Sequence, residues 1–186
     1  MKKVMFAGLS LLSVVVLMAC GEEETKKTQA PQQPKQQQQT TVQQIAVGKE
    51  APDFTLQSMD GKEVKLSDYK GKKVYLKFWA SWCPICLSGL ADITQLSEMP
   101  PKDSVILTVI APGVNREKSL EDFKEWFMGV DYHSLPVLVD KDGQFLKKLG
   151  VVGYPTSAFI DANGKVVRVQ PGHVSNDDIV KTLESL

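Results

Sequence analysis

Two cysteines separated by two residues carry the clearest chemistry in this 186-residue sequence. Cys83 and Cys86 follow an apolar run at 74–79 and lead into a segment with helical character. If Cys83 caps that helix and Pro84 takes its first position, the Cys83 sulfur faces free backbone N–H groups and the positive end of the helix dipole, which favours the thiolate. Cys86 then returns to the same side of the first turn, close enough to attack a mixed disulfide on Cys83. The pair predicts a dithiol–disulfide cycle without a cofactor, with Cys83 as nucleophile and Cys86 as resolving residue.

Two other uses of such a cysteine pair are disfavoured. A structural zinc site needs two more Cys or His ligands at workable spacing. The remaining candidates, Cys20, His133 and His173, stand apart from the pair and from one another, so we expect no metal. An inert structural disulfide is disfavoured because so small a loop restricts the unfolded chain little.

The N-terminus has the pattern of an export signal. Lys2 and Lys3 precede an apolar stretch at 4–19 that is too short and too close to the terminus for an ordinary transmembrane helix. The stretch ends in Leu-Met-Ala-Cys at 17–20, which resembles the lipobox of bacterial lipoproteins. We therefore predict a signal peptide at 1–19, a lipid on Cys20, and an extracytoplasmic protein anchored to the bacterial cell membrane. An uncleaved anchor would give the same topology.

The rest of the chain divides into a tether and one domain. Residues 20–47 are rich in Gln, Thr, Lys and Pro and contain few large apolar side chains, which is typical of a disordered linker. Residues 48–186 have the length of one globular domain. Basic and acidic residues balance, at 22 each, and no basic stripe is present. Nucleic-acid binding is therefore not expected, and the partners should be proteins or small thiols.

Strand and helix patterns alternate along residues 48–186. We expect strands at 54–56, 63–66, 74–79, 105–110, 137–139, 156–160 and 165–169, helices at 87–99, 117–127 and 145–149, and a short turn or helix from 67. Turn residues at 59–61 and 161–164 predict hairpins, and Ser175 with Asp178 predicts the start of a last helix. The fold class is α/β, a central mixed sheet with helices on both faces.

The residues around the cysteines carry a family resemblance. The segment 78–86 and Gly-Tyr-Pro-Thr at 153–156 resemble the thioredoxin superfamily, and the added N-terminal hairpin resembles its extracytoplasmic lipoprotein branch. The resemblance implies that Pro155 is a cis-proline beside the cysteines, and that it exposes the backbone of Tyr154 to pair with a client chain. Trp82, Pro84 and Ile85 should complete the client-binding surface.

A narrower resemblance concerns the clients. Residues 77–88, 109–113 and 122–126 are similar to the thioredoxin-like domain fused ahead of secreted bacterial methionine sulfoxide reductases. This implies a reductant that regenerates disulfide-bonded partners such as methionine sulfoxide reductase. A membrane electron donor that passes reducing equivalents outward would recharge it. Two alternatives remain open: an oxidase that inserts disulfides into exported proteins, and a redox-inactive lipoprotein that binds peptides.

Lys77 departs from the family pattern. It stands where thioredoxins carry a buried acid beneath the second cysteine. A neutral, desolvated Lys77 could accept the proton of Cys86, and a lysine that reaches the domain edge is the alternative. Residues 87–91 also lack the acidic residue and the proline of relatives in haem-protein maturation, which disfavours that role.

Overall fold

A computed structural model describes residues 47–186 of the chain. The predicted signal peptide, Cys20 and the tether up to residue 46 lie outside this range. The strands are β1 (Thr55–Ser58), β2 (Glu63–Lys65), β3 (Lys73–Phe78), β4 (Ser104–Ile110), β5 (Val137–Val139), β6 (Thr156–Ile160) and β7 (Val166–Pro171). The helices are α1 (Pro84–Ser88), α2 (Leu90–Glu98), α3 (Leu120–Met128), α4 (Gln144–Lys148) and α5 (Asn176–Glu184), with a 3₁₀ turn at Leu66–Tyr69. Within the described range, no helix is long and apolar enough to cross a bilayer.

The strands form one mixed sheet in the order β2-β1-β5-β4-β3-β6-β7. β4 lies parallel to both β3 and β5, whereas β6 runs antiparallel to β3 and to β7. The predicted N-terminal hairpin is β1–β2, and it joins the sheet through an antiparallel pairing of β1 with β5. The mixed sheet and both hairpins are therefore confirmed.

Helices cover both faces of the sheet, as predicted. Side chains alternate between the faces along a strand, so β3 sends Tyr75 into one apolar core and Leu76 and Phe78 into the other. The first core also holds the buried faces of α1, α2, α3 and α5, and the second holds α4. The alternation places Lys77 on the Tyr75 side, which is the side of the two cysteines.

Two helix predictions need correction. The helix expected at 87–99 is divided at Gly89 into α1 and α2. The helix expected from 117 begins instead at Leu120, because the Ser119 side chain accepts the Asp122 N–H at 3.1 Å and so caps the helix there. Glu117 therefore lies in the loop that connects β4 to α3 and not in the helix.

Candidate active site

The two cysteines meet at the start of α1. Cys83 is the N-cap residue with an extended backbone, and Pro84 occupies the first turn. A disulfide joins Cys83 to Cys86, and the Cys86 N–H donates to the Cys83 sulfur at 3.3 Å. Cys86 is fully buried, whereas Cys83 keeps 4% of its surface exposed. Of the two bonded cysteines, only Cys83 therefore retains any surface open to solvent.

The loop before β6 lies beside this helix start. Its Tyr154–Pro155 peptide bond is cis. The Tyr154 ring meets the Trp82 ring edge to face, with centroids 6.1 Å apart, and burial raises the pKa of the Tyr154 phenol. Trp82 and Ile85 remain 38% and 59% exposed. We call Trp82, Ile85 and Tyr154 the docking face, after the client binding that the sequence predicts for them; Trp82 directly precedes Cys83.

The loop between β4 and α3 secures the residue before Trp82. Glu117 is 5% exposed, and its carboxylate accepts the Ser81 N–H at 2.5 Å and the Ser81 hydroxyl at 2.6 Å. It also accepts the Lys118 N–H at 2.7 Å. These bonds tie the active-site loop to the loop that follows β4. Sequence reasoning missed this role, although the Ser119–Asp122 capping pattern could have placed the start of the helix after Glu117.

Arg116 adds a positive charge at the docking face. Its guanidinium carbon lies 4.5 Å from the centroid of the Trp82 ring. No feature of the local sequence distinguishes this arginine from an ordinary solvated residue, so the sequence did not single it out.

Lys77 is buried beneath the junction of α1 and α2. Only 4% of its surface is exposed, and burial lowers its pKa, against a smaller opposing effect from the Asp92 charge. A Cβ atom added at Gly89 would lie 3.2 Å from both the Lys77 amine and Cε1 of His173. The amine therefore reaches the helix junction, close to the His173 ring.

The other residues considered from the sequence lie elsewhere. His133 is exposed in the loop between α3 and β5. Trp79 is fully buried in the core against Phe123. In residues 47–186, His, Cys, Asp and Glu side chains form no group of three or more that could hold a metal ion.

The site has the features of a thioredoxin-like thiol–disulfide oxidoreductase. One cysteine caps a helix, its disulfide partner is buried one turn later, and a cis-proline loop lies beside them on a mixed sheet. The chain belongs to the Redoxin family, whose model matches residues 46–185. The predicted fold class and type of enzyme are thereby confirmed.

Individual relatives agree with this assignment. The chain is 54% identical to the pneumococcal exposed lipoprotein thioredoxin Etrx1 of Streptococcus pneumoniae, with a TM-score of 0.69 over 72% of this chain and 99% of that one. It is 37% identical to the thiol-disulfide oxidoreductase ResA of Geobacillus thermodenitrificans over 76% of this chain and 79% of the relative. The N-terminal domain of PilB from Neisseria gonorrhoeae is 31% identical, with a TM-score of 0.64 over 69% of this chain and 86% of that one.

Proposed function

We propose that this protein is an extracytoplasmic, membrane-tethered reductant that regenerates disulfide-bonded partner enzymes, with methionine sulfoxide reductase as one client. The observation that carries the proposal is that, of the two bonded cysteines, only Cys83 retains any exposed surface, directly after the exposed Trp82, whereas Cys86 has none. Such a pair admits a protein client to one sulfur and protects the other. The 54% identity to a protein described as an exposed lipoprotein thioredoxin supports the extracytoplasmic, lipid-anchored location, together with the lipobox pattern at Cys20.

The reaction is a two-step exchange. The Cys83 thiolate attacks one sulfur of the client disulfide, which forms a mixed disulfide and releases the first client thiolate. The Cys86 thiolate then attacks the Cys83 sulfur, which forms the Cys83–Cys86 disulfide and releases the second client thiolate. The client gains two electrons and takes up two protons, and the protein loses the same number. A membrane dithiol donor returns two electrons and two protons to Cys83 and Cys86 and completes the cycle.

The choice of client follows from the chemistry of methionine repair. Reductases of methionine sulfoxide are left with oxidised cysteines after turnover, and these must be returned to thiols. The similarity of residues 77–88, 109–113 and 122–126 to domains fused to such reductases supports this client. The docking face offers Trp82 and Ile85 for its apolar residues, and the backbone of Tyr154 for an extended segment.

Lys77 is the proposed proton acceptor for the second step. The Cys86 thiol must lose its proton before it can attack, and it is fully buried. The Lys77 side chain lies on the same face of the sheet, and its burial favours the neutral amine that can take up a proton. This is one of the two roles that the sequence left open for Lys77.

The client is tested by trapping. Reduced protein with Cys86→Ser, incubated with oxidised methionine sulfoxide reductase, should accumulate a mixed disulfide through Cys83, because the resolving thiol is absent. The matched variant Cys83→Ser should trap none. The native protein should convert the oxidised reductase to its thiol form at a catalytic rate. Failure to reduce it, combined with rapid oxidation of a reduced unfolded protein, would instead support the oxidase.

The membrane location has its own test. In cells fed a labelled fatty acid, the native chain should carry the label and sediment with membranes. Cys20→Ser should abolish the label. If the native chain is unlabelled and free of the membrane, the tether is wrong, whatever its redox activity.

A further inference from the structure

The loop between β4 and α3 holds an arginine, Arg116, in an uncommon backbone conformation beside Trp82, the residue that precedes Cys83. Asn115 and Arg116 have φ angles of 49° and 67°, both in the left-handed region that non-glycine residues seldom adopt. Two such residues in succession need support from the surrounding structure.

That support comes from both sides of the pair. On one side, the Gly113 N–H donates to the carbonyl of Lys118 at 2.9 Å and to that of Glu117 at 3.2 Å, which closes the loop. On the other, the Glu117 carboxylate is turned inward onto Ser81. The carboxylate next to Arg116 in the chain is thus occupied, and the arginine side chain is directed to Trp82.

The contact with Trp82 leaves the guanidinium able to bind a carboxylate. Stacking on a ring uses the face of the planar group, whereas its N–H donors point outward from the rim. Arg116 is exposed, and neither of the two ion pairs found within residues 47–186 involves it. A guanidinium in this state binds a carboxylate through two parallel hydrogen bonds.

We propose that Arg116 determines specificity, by selecting client segments that carry an aspartate or glutamate near the reactive cysteine. Trp82 would contact the apolar part of such a segment while Arg116 binds its carboxylate. The inference rests on the proposed disulfide exchange and deepens it, because it names the chemistry of the preferred client. A role for Arg116 in client binding would also account for the strained backbone of its loop, which packing of the core does not explain.

Disulfide-bonded peptides that differ in one residue test the proposal. Glu, Gln or Lys is placed one, two or three residues from the cysteine, and kcat/KM is measured with the full chain in detergent. At its best position, Glu should exceed Gln by roughly fivefold, the size expected for a partly exposed charge pair. The preference should shrink as salt rises.

The chain offers a matched control. Arg168 is its other arginine, also exposed and also over an aromatic ring, with its guanidinium carbon 5.6 Å from the Phe159 centroid. Arg116→Gln should abolish the preference for Glu and its dependence on salt, and Arg168→Gln should retain both. Arg116→Lys should keep part of the preference, since it keeps the charge and loses the planar fork.

Two results would overturn the inference: no preference for Glu at any position in the native protein, or a preference that survives Arg116→Gln. A binding measurement distinguishes failure of the inference about Arg116 from failure of the proposed disulfide exchange. The Cys83→Ser, Cys86→Ser protein is titrated with the same peptides, and Trp fluorescence reports binding without exchange. Tighter binding of the Glu peptide that depends on Arg116 supports the inference even in a protein that fails to reduce clients, and equal binding of Glu and Gln peptides refutes it.

Discussion

Replacing Glu117 by glutamine removes a buried charge at nearly constant size and tests how the active-site loop is held. The two carboxylate oxygens of Glu117 divide their bonds: one accepts the Ser81 N–H, and the other accepts the Ser81 hydroxyl and the Lys118 N–H. Glutamine offers one carbonyl oxygen and one NH₂ group. Whichever way the amide turns, one of the two backbone N–H groups faces a donor and loses its acceptor.

The size of the effect follows from these bonds. A buried N–H left without a partner costs about 1–3 kcal/mol. The bonds that remain change from charge-assisted to neutral and lose about 1 kcal/mol more. Glutamine is neutral, so the variant avoids the free-energy cost of burying the Glu117 charge, which offsets part of the loss. We therefore expect Glu117→Gln to lower the free energy of unfolding by about 2 kcal/mol.

Urea unfolding followed by circular dichroism measures the change, and Asp140→Asn is its control. Asp140 is also buried, at 4% exposure. Among the described residues, however, its carboxylate accepts a hydrogen bond from one group only, the Leu146 N–H. An asparagine carbonyl can keep that bond, so the loss should stay below about 1 kcal/mol. Hydrogen exchange at the Ser81 amide should also accelerate in Glu117→Gln. If Glu117→Gln is no more destabilising than Asp140→Asn, the loop is not held by Glu117.

Three further changes test other parts of the account. Burial lowers the pKa of Lys77 from its ordinary 10.5. At pH values between the lowered pKa and 10.5, the unfolded chain therefore binds more protons than the folded chain, and the free energy of unfolding rises with pH. Lys77→Met should be more stable than the native protein at neutral pH, and the difference in urea midpoint should shrink as pH approaches 10.5; a constant difference would contradict the burial of a titrating amine. The hydroxyls of Tyr75 and Ser157, both buried, share a hydrogen bond at 2.8 Å. Ser157→Ala should cost about 1–3 kcal/mol in thermal or urea unfolding, and adding Tyr75→Phe should recover part of that loss rather than deepen it. The Ser175 side chain caps α5 by accepting the Asp178 N–H at 3.2 Å, so Ser175→Ala should cost about 1 kcal/mol, and Ser175→Asp should retain most of the stability.

Local patterns were sufficient for much of the fold. Largely apolar segments of five or six residues between turn signals predicted β3, β4 and β6, because strands buried on both faces are mostly apolar rather than alternating. The Asp-Ala-Asn-Gly sequence at 161–164 marked the C-terminal hairpin, and Gly164 has the positive φ, 81°, that such a turn requires. The Cys-Pro step similarly indicated where α1 begins.

Long-range contacts explain what local patterns did not reveal. Glu117 precedes an amphipathic run and resembles the exposed residue of a first helical turn, yet it bonds to Ser81, 36 positions earlier. The surroundings of Gly89, where the helix divides, are also set by distant residues. A Cβ atom at this position would lie 3.2 Å from the amine of Lys77, which comes from β3, and 3.2 Å from Cε1 of His173, which comes from the loop before α5. Neither neighbour can be inferred from residues near Gly89 in sequence.

The reduction potential of the Cys83–Cys86 couple decides whether the protein acts as a reductant or as an oxidase. The full chain in detergent is equilibrated with thiol buffers of defined potential, and tryptophan fluorescence reports the oxidised fraction. For a reductant we expect one two-electron transition at about −270 mV or lower, in the range of thioredoxin, with no transition in Cys83→Ser or Cys86→Ser. A transition near −120 mV, as in a strong disulfide donor, would contradict the proposed reductant.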